Sequence, residues 1–166
     1  FKRHYLLRAS VAVDGRSLSR YEEVHGLDTK DIHETHRIFL ERLKRFRGEI
    51  KGVLTRGALV AGIGNAYADE ILFEARLYPF IKCHRLGQAQ RQALFRAMRR
   101  VLQESIPPIT ARVAQQLDAK VRDFMRVHGR AGEPCPRCGH AISEINVAKR
   151  PTNFCRHCQP GTLFRG

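Results

Sequence analysis

No apolar run in this sequence approaches the ~18 residues that a membrane-spanning helix requires. Its first residues carry no charged-then-apolar segment of the signal-peptide kind. Both absences favour a soluble, intracellular, cytoplasmic chain. Acidic residues are also scarce: sixteen Asp and Glu face thirty Lys and Arg, for a formal charge of +14 and a pI near 10.4. Such a surplus points to a polyanionic partner, nucleic acid above all. A membrane surface fits poorly, because the basic residues do not form one stripe with bulky apolar residues opposite. No G-K-[ST] follows the glycine-rich turn, which excludes a P-loop. A chain that starts at Phe1 rather than Met is expected to be a fragment. With 166 residues and a hydrophobic fraction of 43%, it can form one mid-sized domain or two small ones.

Cysteine is nearly absent until the end. Four of the five lie in "CPRCGHAISEINVAKRPTNFCRHC", residues 135–158. The pattern is C-x2-C, sixteen intervening residues, then C-x2-C. Two residues between thiolates let one tight turn aim both sulfurs at a single cation, and two such turns complete a tetrahedron. Cys135, Cys138, Cys155 and Cys158 are therefore expected to hold one structural Zn2+, with no position left open for substrate. Between the pairs, Ala141, Ile142, Ile145 and Val147 suit a short β-hairpin covering the metal. A segment this short cannot build its own core, so the metal would supply much of its folding free energy. Disulfides are disfavoured without a secretory signal, and a redox pair would sit alone on a βαβ fold. His157 falls inside the second pair and could replace a cysteine, but four cysteines suffice. His140 is expected to face solvent, and Cys83 to be an ordinary free thiol.

The rest of the pattern is helical. Residues 28–46 place Ile32, His36, Phe39, Leu43 and Phe46 on one stripe, with Asp28 or Thr29 as cap and His36 as a packing or edge residue. Residues 88–105 form another helix, with Leu94, Phe95, Met98, Val101 and Leu102 inward, ended by Pro107 and Pro108. Between them, "EIKGVLT" gives a short helix and "RGALVAGIGN" a long turn. "NAYADEILFEARL" gives a third helix, with Asn65 as N-cap. Gly62 and Gly64 let the backbone turn sharply and approach a ligand. The free amides of that helix start suit a phosphate.

Together, "GIGNAYADEILFEARLYP" and "GRAGEPCPRCG…KRPTNFCRHCQP" resemble the helix–two-turn–helix and C-terminal zinc finger of the formamidopyrimidine-DNA glycosylase and endonuclease VIII family, over roughly residues 28–160. The resemblance implies a mainly α fold with a small β zinc hairpin. It divides the chain into 1–27, a remnant of a β-rich N-terminal domain with its linker; 28–125, the helical DNA-binding part; and 126–166, the finger and tail. It also implies damaged-DNA binding by the C-terminal half of a base-excision-repair DNA glycosylase and AP lyase: a monomer on damaged or abasic duplex DNA, nucleoid-associated in a bacterium, whose parent enzyme excises oxidised bases and which alone is expected to be inactive. In that family an N-terminal proline amine attacks the sugar, aided by a glutamate and a lysine. This sequence has no Met-Pro-Glu start, so no catalytic residue is assigned.

Carried over residue by residue, Lys51 matches a lysine near the lesion and Asn65 an asparagine on a flanking phosphate. Gly64 belongs to the same turn. Arg150 matches the finger arginine that grips the backbone. His128 stands where relatives often have a phosphate-binding tyrosine. Residues 106–120 occupy the region of a loop that covers the flipped base in some relatives. Two other classes fit parts of the pattern: an RNA-binding helix–two-turn–helix protein of ribosomal type, and a non-enzymatic zinc-ribbon module.

Overall fold

The computed structural model describes residues 12–13, 16–17, 29–57, 59–60, 62–115 and 122–161. The elements are β1 (Ala12–Val13), β2 (Arg16–Ser17), α1 (Thr29–Leu43), α2 (Ile50–Thr55), α3 (Asn65–Glu74), α4 (Gln88–Gln115), β3 (Ser143–Val147) and β4 (Arg150–Phe154), with a 3-10 turn at Cys83–Arg85. The fold is mainly α with a small terminal hairpin. β1 pairs antiparallel with β2. Most of the expected N-terminal remnant, and Asp28 as a cap, lie outside the described residues.

From His36 onward the apolar stripe on α1 packs inward as its spacing predicts; the side chain of Ile32 lies outside the described residues. Phe39 and Leu43 are fully buried, and His36 stacks on Phe95 of α4 with ring centroids 4.7 Å apart. They join Ile50, Val53 and Leu54 of α2, Ala68, Ile71 and Leu72 of α3, and Leu94, Phe95 and Met98 of α4 in one core. Cys83 is buried in it, and burial pushes its thiol up to about 11, so it is a packing residue.

α2 has no side-chain cap. Its first amides are satisfied by the returning chain instead: Ile50 N donates to Ile81 O at 2.9 Å and Lys51 N to Pro79 O at 3.1 Å. This closes the turn around α3 before α4 begins.

Two sequence expectations about the helices fail. α4 does not stop before Pro107 but runs through both prolines to Gln115. Proline's fixed φ suits a helix, and the donors it removes would have bonded to the carbonyls of Gln103 and Glu104. Both residues retain solvent contact, so water can serve those carbonyls. Ile109 is buried one turn on, which anchors the continuation. Residues 106–115 are thus helix and not loop; the remainder of the 106–120 segment lies outside the described residues. The second failure is the cap of α3. Gly64 is its N-cap, with φ −86° and ψ 176°, and Asn65 is the first helical residue.

A smaller core joins the finger to α3. It comprises Phe73, Val127, Cys135, Ile142 and Cys155. Gln159, fully buried, accepts from Cys155 N at 3.0 Å and donates to Leu77 O at 2.9 Å. Ile142 covers the cysteines, whereas Val147, in the last pair before the hairpin loop, is 46% exposed.

Candidate nucleic-acid interface and metal centre

α3 begins without a side-chain cap, because Gly64 has none to offer. The first intrahelical bond is Ala68 N to Gly64 O, 3.0 Å. The amides ahead of it point out of the helix end, next to an exposed glycine turn in which Gly62 has φ 85°. A positive φ is cheap only for glycine, which is why the turn is so spelled. A helix end of this kind favours an anion.

The same helix carries two buried acids, Asp69 and Glu70. Asp69 Oδ1 receives the Lys51 ammonium at 2.7 Å, and Oδ2 receives His128 Nδ1 at 2.7 Å and Asn153 N at 3.1 Å. Lys51 Nζ also donates to Thr152 Oγ1 at 2.7 Å and to Pro151 O at 3.0 Å. Two hydrogen bonds and the ion pair thus hold the ammonium against protein. Burial pulls its pKa below the ordinary lysine value, with Asp69 opposing. Glu70 accepts from the amides of Arg126 (3.0 Å), Val127 (2.8 Å) and His128 (2.9 Å). A carboxylate surrounded by amides is a strong clamp, and here it fixes the segment that leads into the finger.

One turn later, Glu74 binds Arg126 at 2.8 Å and Arg137 at 2.7 Å. Arg137 also donates to Phe73 O and lies over the Phe73 ring, 4.2 Å from its centroid, a cation–π contact in a half-buried setting.

The hairpin folds back onto the turn of α3. Asn65 Nδ2 donates to Pro151 O at 2.8 Å, while the buried Asn65 Oδ1 has no hydrogen-bond partner among the described residues. β3 and β4 pair from Ser143–Phe154 to Val147–Arg150, leaving a two-residue loop, Ala148–Lys149, with φ 49° and 62°. Such a loop matches strand twist but suits Asn-Gly. Two side-chain-bearing residues at positive φ cost about 1 kcal/mol each. Arg150 follows at once and is exposed.

At the other end of the hairpin the four cysteines converge. Their sulfurs all lie within 4.8 Å of one another. Cys135 and Cys158 are 3.9 Å apart and Cys138 and Cys155 3.4 Å, near the ~3.8 Å edge of a tetrahedron with Zn–S bonds of about 2.3 Å. Burial opposes ionisation of Cys135, but the amides of Arg137 and Cys138 outweigh it and bring its thiol down to about 7. Burial and the neighbouring sulfurs push Cys158 up to about 12. Four sulfurs this close carry full charge together only around a cation. The donor set fits one structural zinc ion, held by Cys135, Cys138, Cys155 and Cys158, with no open position.

The sequence-derived residues therefore divide. Gly64 and Arg150 are exposed, while Asn65 sits between the turn and the hairpin. Lys51 is 7% exposed and His128 half-buried; both bind Asp69. Sequence reasoning passed over Asp69 and Glu70. Two adjacent acids inside the apolar run "AYADEILF" were the available signal, since charges at a core face need partners.

A glycine turn before an uncapped helix, closed by a four-sulfur hairpin, defines a helix–two-turn–helix protein with a C-terminal zinc finger. The family model described as formamidopyrimidine-DNA glycosylase H2TH domain matches residues 26–116, and that of the zinc finger found in FPG and IleRS matches residues 132–161. The chain belongs to the formamidopyrimidine-DNA glycosylase family.

A formamidopyrimidine-DNA glycosylase-like protein of Mycobacterium tuberculosis is 40% identical over 114 residues, 69% of this chain and 72% of that one. The formamidopyrimidine-DNA glycosylase of Chloroflexus aurantiacus is 38% identical over 152 residues, 89% of this chain and 55% of its own length. Among solved structures, the Thermus thermophilus MutM (Fpg) protein matches with TM-score 0.60 and 34% identity, over 73% of this chain and 48% of that one. The Lactococcus lactis Fpg, solved with a FAPY-dG containing DNA, matches with TM-score 0.68 and 33% identity, over 76% and 47%. The chain thus spans about half the length of these solved glycosylases.

Proposed function

We propose that this chain is the duplex-gripping part of a base-excision-repair DNA glycosylase and AP lyase. The observation that carries the reading is the bond from Asn65 Nδ2 to Pro151 O, 2.8 Å. It ties the open amino end of α3 to the hairpin that presents Arg150, so two phosphate-binding features face outward from one rigid junction. Gly64 allows a phosphate close to the backbone, and the second Asn65 amide hydrogen and Arg150 donate to phosphates beside it. Lys51 and His128 act one step back, through Asp69, by holding the hairpin in register.

The charge of +14 supports a polyanionic partner, and the solved relatives include Fpg proteins bound to lesion-containing and abasic-site DNA. In this reading residues 28–125 and 126–166 are the helical and finger units of the grip, and residues 1–27 are a remnant of the family's β-rich catalytic domain with its linker. No residue of the chain is assigned a catalytic role. It works as a monomer, at the nucleoid in a bacterium; no helix among the described residues is long and apolar enough to cross a membrane.

The test is binding of the 166-residue chain to a labelled duplex with and without one abasic site, across a salt series, with borohydride trapping alongside. Tighter binding to the abasic duplex, a negative salt slope and no covalent adduct are expected. Equal affinity for both duplexes at every salt would overturn the damage-specific reading, and an adduct mapped to one residue would overturn the empty catalytic assignment.

A further inference from the structure

Each zinc knuckle carries a histidine on its exposed side. His140 comes two residues after Cys138, and His157 directly precedes Cys158. Their rings stack with centroids 4.5 Å apart and planes 8° from parallel. One ligand atom from each, together with Cys138 Sγ, lies within 4.8 Å of the others.

The backbone under both rings is fixed by the knuckles. His140 O accepts from Cys135 N at 2.8 Å, Gly139 N donates to Cys135 O at 2.8 Å, and Gln159 N to Cys155 O at 2.9 Å. Gly139, with φ 75°, makes the turn that brings His140 back over the sulfurs. The imidazoles need only side-chain rotation to converge, because both residues are exposed.

We propose that Cys138, His140 and His157 form a second metal site, which takes a zinc-like divalent cation against the filled four-cysteine centre. Three points of chemistry favour it. A zinc-bound thiolate is already deprotonated and keeps lone pairs, so Cys138 can bridge two cations without releasing a proton. A zinc ion held by four thiolates leaves the centre net negative, which attracts a second cation. The donor set, two imidazoles and one thiolate, suits zinc and its neighbours rather than magnesium or calcium.

The two arginines next to the cysteines, Arg137 and Arg156, are engaged elsewhere. Arg137 is turned to Glu74 at 2.7 Å, and Arg156 Nε donates to Ser143 Oγ at 3.1 Å. Unlike the closed structural centre, this site has three protein ligands on an exposed surface, so water completes its shell. It lies at the opposite end of the hairpin from Arg150.

The full chain carrying one equivalent of zinc is dialysed against Zn2+, and bound metal is counted. The wild type should take up a second equivalent. The His140→Gln/His157→Gln variant should retain the first and lose the second, with an unchanged far-UV spectrum. Cobalt added to the zinc-loaded wild type should give a thiolate-to-cobalt charge-transfer band while the zinc stays bound; the variant should show no band.

Failure of the wild type to bind a second equivalent would overturn the proposal. So would a second equivalent that persists in the double variant, which would lie elsewhere, or a cobalt complex without the thiolate band. Cobalt that displaces the zinc would mean that the two ligand sets compete for a single ion, and the shared thiolate would fall with it.

Discussion

Asp69 and Lys51 form an ion pair of 2.7 Å at the junction of the helices and the finger, with the carboxylate fully buried and the ammonium nearly so. Its second oxygen takes His128 at 2.7 Å, so one carboxylate holds a lysine from α2 and a histidine from the finger segment. Asp69→Asn would leave the ammonium buried without its counter-charge. A loss of about 3 kcal/mol is expected, read as a lower urea midpoint. Lys51→Met added to that variant should recover part of it, because the stranded charge is gone. An unchanged midpoint in Asp69→Asn would show that solvent already reaches the pair.

The exposed Arg150 side chain makes no hydrogen bond or ion pair among the described residues, so its truncation should leave the fold intact. Arg150→Ala is expected to weaken duplex binding several-fold and to reduce the slope of log K against log salt by about one contact. A changed affinity with an unchanged slope would mean that Arg150 acts through the hairpin and not on a phosphate.

Removal of zinc by a chelator should release the finger alone. The larger core contains no residue of the finger, whereas the smaller one includes Cys135 and Cys155. The helical far-UV signal should persist, the four finger thiols should become reactive, and duplex binding should weaken. Buried Cys83 should stay unreactive. Loss of the helical signal together with the metal would show that the two cores are one cooperative unit.

Glu74 sets an acid limit on the junction. Burial pushes its carboxyl up, but Arg126, Arg137 and Arg100 outweigh this and hold it below the usual glutamate value. A carboxyl depressed in the folded state contributes its full stability above the unfolded value, about 4.3, and loses it as pH falls through the folded value. Glu74→Gln should therefore melt lower than the wild type at neutral pH, with the gap closing below about pH 4. A gap that stays constant with pH would assign the effect to packing.

The hairpin tip stores strain at Ala148, with φ 49°. Ala148→Gly should raise hairpin stability by about 1 kcal/mol, seen as slower thiol reactivity of the zinc-loaded finger. No change, or a faster reaction, would show that the loop relaxes at no cost in solution.

Much of this architecture is legible in the residues. Paired cysteines two apart allow few geometries, and the stripe of Phe39 and Leu43 or of Leu94 and Met98 has only a helical solution. The prolines at 107 and 108 do not end α4, because a donor lost on a partly exposed turn costs less than one lost in a core. Lys51 is expected near the lesion, but its bonds to Asp69, Pro151 and Thr152 cannot be read locally, because those partners are distant in sequence. Nothing local marks a lysine as buried. The same distance hid Glu70, whose acceptor role appears only when residues 126–128 fold over it.

That distance bears on how the molecule is assembled during synthesis. Lys51 bonds to Thr152, 101 positions later, and Asn65 to Pro151, 86 later. On the ribosome α1 to α4 emerge first and can close their own core. Asp69 and Lys51 then wait, already paired with each other, for a segment not yet made. Closure of so long a loop is slow and entropically costly, so the finger docks last. A nascent chain that stalls before residue 151 would thus hold a charged pair lacking its final acceptors, loose where the completed protein is most tightly tied.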